Sequence, residues 1–124
     1  MNMFASTIYI KVSANHLHVR NLEANSGADA RATIPFTTTR LLVGEFKIAE
    51  ALLKDLLKRV GLGGSLRPAP IALIHPAEMV EGGLSEVEER LFLELAMGAG
   101  ARRAVVYVGP DLGDDAVRVK VSPD

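Results

Sequence analysis

The sequence predicts an α/β domain in which parallel strands carry helices packed on the sheet, and three observations predict it. Between Phe46 and Gly109 the hydrophobic pattern switches twice from a helical period to a short continuous apolar run, so the stretch reads helix, strand, helix, strand. Glycine and proline fall at the joints, as at Gly61, Pro70, Pro76 and Gly83. Upstream, the first third is rich in β-branched residues and lacks a helical stripe.

Each element has its own justification. Thr7 to Val12 reads as a strand, Ser13-Ala14-Asn15 as a turn, and Leu17 to Arg20 as the returning strand of a hairpin. Glu23 to Asp29 is small and polar and reads as a connection, which leaves Arg31 to Phe36 as a third strand ending at the edge residue Pro35. The three make an antiparallel meander. From Phe46, residues Ala49, Leu52, Leu53, Leu56, Leu57 and Val60 keep i, i+3, i+4 spacing, and Lys58, Arg59 and Gly61 mark the C-terminus, with Gly63 and Gly64 in the loop beyond. Arg67-Pro68-Ala69-Pro70 cannot be helical, and Ile71 to Ile74 reads as a strand covered on both faces, ending at His75-Pro76. Ser85 and Glu88 form a capping box for a helix with Val87, Leu91 and Leu95 on one row and Phe92 and Ala96 beside it, stopped by Gly98 or Gly100. Ala104 to Val108 reads as another buried strand. The alternation of Val117, Val119 and Val121 with Arg118 and Lys120 reads as a half-exposed final strand.

Composition narrows the function classes. With 124 residues, 48% of them hydrophobic, the chain suffices for one core and one domain, residues 1–124. A formal net charge of −1 gives no global field toward nucleic acid or an anionic membrane. The absence of cysteine excludes disulfides, thiolate metal sites and a cysteine nucleophile. No apolar run approaches a membrane span and no leader pattern opens the chain, so the expectation is a cytoplasmic domain.

The order strand, strand, strand, helix, strand, helix, strand is that of the ribonuclease-H-like fold, as used by actin-like proteins. From Val43 onward the chain resembles the MreB family of bacterial actins. Phe46 to Leu53 is similar to the helix after that family's DGVIADF signature, and Arg67 to Pro76 resembles its RPRVVICVP. Leu84 to Arg90 resembles ITEVEKR, and Ala99-Gly100-Ala101-Arg102 matches AGAR residue for residue. The resemblance implies one ribonuclease-H-like lobe with a mixed sheet.

The departures fall where that family does its chemistry. Its first hairpin carries IDLGT, whose glycine lets backbone approach the phosphates and whose aspartate helps hold the metal. Here Ile10-Lys11-Val12-Ser13-Ala14 puts a lysine in the aspartate's place. The family's EEP glutamate site reads Val108-Gly109-Pro110, and 124 residues provide one lobe where the nucleotide sits between two. The expectation is therefore no ATPase activity, no catalytic residue and no cofactor.

Other candidate chemistry is sparse. His16 and His18 share a strand face and could contribute to a metal site, but a solvated face accounts for them as well. Glu86, Glu88 and Glu89 suit a helix N-terminus. Asp111, Asp114 and Asp115 lack calcium-loop spacing, and Gly61-Leu62-Gly63-Gly64 follows a helix rather than a strand, unlike a phosphate loop. Two classes of function remain. One is a noncatalytic module that docks onto a protein partner or onto itself through its hairpin edge, its Val117–Val121 tail or the Phe92 and Leu93 side of the second helix. The other is a small enzyme or ligand-binding protein with a site at the strand ends near Lys11, Ser13, His75 and Asp111, where open α/β sheets hold ligands.

Overall fold

The computed structural model describes residues 6–62 and 69–123. Its strands are β1 (Thr7–Ser13), β2 (His16–Asn21), β3 (Ser26–Arg31), β4 (Ile71–Pro76) and β5 (Arg103–Val106), and its helices are α1 (Phe46–Arg59), α2 (Glu86–Gly98) and α3 (Asp114–Val121). The expected features at Gly63, Gly64, Arg67 and Pro68 lie outside the described residues.

The strands form one mixed sheet in the order β3-β2-β1-β4-β5. β1 lies at its centre, antiparallel to β2 and parallel to β4, with Lys11 opposite both His18 and His75. Alternation along β1 sends Ile8, Ile10 and Val12 to one face and Tyr9, Lys11 and Ser13 to the other. The first face meets Leu17, Val19, Ala72 and Ile74 of the neighbouring strands, Ala49, Leu53, Leu56 and Leu57 of α1, and Phe92, Leu95 and Ala96 of α2 in the main core. On the second face Tyr9, Leu22 and Leu73 pack with Val117 and Val121 of α3. The domain therefore has two helices on one side of the sheet and one on the other.

Local chemistry fixes the joints. Asn15 turns the β1–β2 hairpin at φ 54°, and its Oδ1 accepts from the Phe36 and Thr37 amides at 2.9 Å each, tying the hairpin tip to the chain that enters α1. Buried Asn21 donates through Nδ2 to the Val60 carbonyl at 2.9 Å, which satisfies one of the free carbonyls at the end of α1. Gly61 follows at φ 90°, the left-handed geometry that suits glycine. At α2, Ser85 Oγ accepts from the Glu88 amide at 3.2 Å while Glu88 accepts from the Ser85 amide at 2.9 Å, completing the expected capping box.

Several expectations change, among them the last central strand, which is Arg103–Val106 and half-buried throughout rather than a buried Ala104 to Val108. The third strand is Ser26–Arg31 rather than Arg31 to Phe36, because pairing with β2 overrides the weak strand propensity of Gly27, Ala28 and Ala30. Phe36 instead plugs the main core from a non-strand segment. The Val117–Val121 tail is helical. Val117 and Val121 sit one turn apart on a buried row while Val119 is exposed, and Asp114, Asp115, Arg118 and Lys120 complement the helix dipole. The apolar row of α2 is rotated, so Phe92 is buried and cannot serve as an outward interface residue, whereas Val87 is 76% exposed. Leu93 remains half-buried on the outer side.

These placements predict a graded response to truncation in denaturant unfolding. Leu53→Ala should cost about 2–5 kcal/mol as a core cavity, Ser85→Ala about 1 kcal/mol as a lost cap, and Val87→Ala less than about 0.5 kcal/mol.

Candidate functional site

The candidate site lies on the α3 side of the sheet, toward the C-terminal ends of β1 and β4. Because β1 and β4 are parallel and in register, Lys11 and His75 leave neighbouring strands side by side on one face. The loop after β5 closes over them. Lys11 Nζ donates to Asp111 Oδ2 at 2.8 Å, and His75 Nδ1 lies 4.0 Å from Asp111 Oδ1. Lys11, His75 and Asp111 thus lie side by side and Ser13 lines the pocket next to Lys11 and Asp111, whereas Phe92 and Leu93 belong to α2 on the other side of the sheet.

His75 is 1% exposed, and both ring nitrogens are engaged. Nε2 lies 2.8 Å from the Gly109 carbonyl, which can only accept, so the proton resides on Nε2. Nδ1 then accepts from the Tyr9 hydroxyl at 2.7 Å, and that hydroxyl in turn accepts from the Leu112 amide at 3.2 Å. Tyr9 is stacked with the imidazole, its ring centroid 5.8 Å away, and Tyr107 meets the imidazole edge-on at 4.9 Å. Lys120 Nζ sits 5.1 Å from the Tyr107 ring centre, carrying a cation to its outer part. Burial pushes the His75 pKa down, opposed by the bond to Gly109, and burial also pushes the Tyr9 phenol up. A neutral, fully bonded imidazole pins the loop after β5 and has no lone pair left for a metal or a substrate proton.

Around this centre an open pocket of about 430 Å³ is lined by Lys11, Ser13, His16, His18 and Arg20, with Asp111 and Asp114 on its α3 side. Its charges are largely matched within the chain. Arg20 grips Asp114 through two bonds of 2.9 and 2.8 Å, and His16 Nε2 lies 2.7 Å from Asp29 Oδ2. Hydrogen bonding to Lys11, Arg20 and His16 holds the carboxyls of Asp111, Asp114 and Asp29, respectively, below the usual range. His16 and His18 do share the face, but among the described residues no three histidine or carboxylate groups are close enough to hold a metal.

Tyr9, Arg20 and Tyr107 carry no candidate chemistry in the sequence, and Asp114 enters it only as an acid without calcium-loop spacing. The two-residue period could have found Tyr9, which shares a face with Lys11, and Arg20, which shares one with His16 and His18. Tyr107 and Asp114 become neighbours of the site only through the β4–β5 crossover and α3.

No protein-family model matches the sequence. Over 99 residues the chain is 36% identical to the uncharacterized protein YjaA of Escherichia coli, an alignment covering 76% of each chain. Over 81 residues it is 31% identical to the cell shape-determining protein MreB of Haemophilus influenzae and 30% identical to that of Pasteurella multocida, covering 65% of this chain. Those 81 residues span 22% of either MreB.

The buried histidine makes stability depend on pH in a defined direction. The unfolded chain takes up the His75 proton near its ordinary value of 6.5, and the folded chain resists it until lower pH. Between those values the unfolded state binds more protons, so this contribution is complete above 6.5 and declines as pH falls toward the folded pKa. The difference in unfolding free energy between the native chain and His75→Gln should therefore shrink between about pH 7.5 and about pH 5 in matched denaturant titrations. Tyr9→Phe, which leaves Nδ1 and the Leu112 amide without their partner, should cost about 1–3 kcal/mol at neutral pH.

Proposed function

We propose that this chain, which belongs to the family of the uncharacterized Escherichia coli protein YjaA, is a noncatalytic, cytoplasmic interaction module built as a single ribonuclease-H-like, actin-like lobe. In this reading it serves the cell-shape or cytoskeletal machinery in which MreB-like proteins act. The partial similarity to MreB and the strand order with β1 at the centre support the lobe.

The observation that carries the noncatalytic reading is the chemistry at the β1–β2 tip. In MreB-like proteins this hairpin offers an aspartate for the metal and free backbone amides for phosphate. Here the residue in the aspartate's place is Lys11, and it is neutralised by Asp111. The Ala14 amide at the tip donates to Glu78 Oε2 at 2.9 Å, so a carboxylate of the chain itself occupies a donor that phosphate would need. An incoming triphosphate would have to displace Glu78 and would meet the negative charge of Asp111.

A second reading, a small-ligand site, is favoured by the pocket beside Lys11 and Ser13. Titration calorimetry with ATP and magnesium separates the two. The interaction module gives no saturable heat, and phosphate release stays at the uncatalysed background. Micromolar binding that Lys11→Ala abolishes would replace the module with a ligand-binding protein.

A further inference from the structure

The free edge of β3 carries a pattern that fits a second copy of itself. β3 is the outermost strand of the sheet, and its six residues pair with β2 without a bulge or a proline. The amide of Ala32 donates to the Asn15 carbonyl at 2.8 Å, continuing that ladder by one pair. Antiparallel partners alternate between bonded and non-bonded pairs, so Ser26, Ala28 and Ala30 direct their backbone groups to β2 and Gly27, Asp29 and Arg31 direct theirs outward. Among the described residues no hydrogen bond reaches those outward amides and carbonyls. Ile34, 64% exposed, follows just past the strand end.

We propose that β3 pairs antiparallel with β3 of a second copy, joining two five-stranded sheets about a twofold axis at Ala30. The charges select this register. Outward residues must pair with outward residues, and shifting one strand along the other brings three arrangements of the charged positions. One sets Asp29 against Asp29 and another sets Arg31 against Arg31, both repulsive. The arrangement between them sets Asp29 of each copy against Arg31 of the other, twice, on the same face. It brings Ala30 against Ala30 in a non-bonded pair, where strands approach to about 4.5 Å and small side chains fit. Asp29 can take part while bonded to His16, since that bond uses Oδ2 alone and Oδ1 remains. Charges on an edge strand ordinarily prevent pairing. Opposite charges two residues apart instead permit one self-pairing and oppose its neighbours.

The proposal deepens the interaction-module reading by naming the partner as this chain itself. Its failure is distinguishable: a monomer without ATP affinity removes the self-pairing alone, and an ATP-binding dimer removes the noncatalytic reading alone. The test uses the full chain, which contains no cysteine, so an introduced thiol reports one position. Sedimentation equilibrium should show a concentration-dependent dimer. Under mild oxidation Ala30→Cys should cross-link to itself, because the pair falls within disulfide range. Ala28→Cys should not, because its own counterpart lies about 13 Å along the partner strand. Arg31→Glu should weaken the dimer about tenfold or more, and Asp29→Lys combined with Arg31→Glu should restore it. A chain that stays monomeric up to its solubility limit, a dimer indifferent to Arg31→Glu, or cross-linking at Ala28 rather than Ala30 would overturn the proposal.

Discussion

The constraint on which the rest depends is the two-residue alternation of β1, fixed from both sides by hydrogen bonding to β2 and β4. Ile8, Ile10 and Val12 must face α1 and α2, so Tyr9, Lys11 and Ser13 must face the other way. A slip of one residue would drive Lys11 into the main core and expose three aliphatic side chains. Full burial of an aliphatic side chain is worth about 1.5–3 kcal/mol, so the three together hold the register far more firmly than any surface ion pair could. The composition of the polar face is thus a consequence of the core. Lys11 lies beside His75 because Ile10 lies beside Ile74.

Given that register, the chain carries a buried imidazole at the end of its second central strand and must satisfy it. The Gly109 carbonyl and the Tyr9 hydroxyl do so, and each bond reaches a segment far away in sequence. The result couples the centre of the sheet to the loop that precedes α3. The Lys11–Asp111 pair is more exposed and screened by solvent, so it follows the loop rather than positioning it. His75 therefore acts as a structural fastener, and the pocket beside it inherits its walls from that fastening.

Much of this was legible in the sequence, and the failures have identifiable causes. The stripe of α1, the run Ile71–Ile74 and the Ser85–Glu88 box were readable because each is a dense local pattern that tertiary packing reinforces. β3 was not, because Ser26-Gly27-Ala28-Asp29-Ala30-Arg31 has turn-like composition and owes its conformation to β2. α3 was misread because Val117 and Val121, spaced by four, satisfy both a strand's alternation and a helix's buried row. The acidic start and basic end of that segment were the signals that decide for a helix. At the site, Lys11 and His75 adjoin because β1 and β4 are parallel and in register, and Asp111 reaches Lys11 from the loop after β5. The role of His75 was hidden because its partners are a distant hydroxyl and a main-chain carbonyl, and a carbonyl has no residue type to recognise.

The same unreadable strand gives the molecule its open edge, and this bears on what the sheet can pair with. At the β1–β2 tip the chain's own carboxylates take up the lysine and the amide that an anionic ligand would need, so polar capacity is used internally. At β3 the outward backbone groups of Gly27, Asp29 and Arg31 have no such internal partners among the described residues. Backbone edges recognise other backbone edges, and the side chains beside them choose the register. A domain with a self-neutralised pocket and an unneutralised edge is better equipped to bind another strand than a small anion. The small side chains that made β3 look like a loop are the ones that let a second strand approach it.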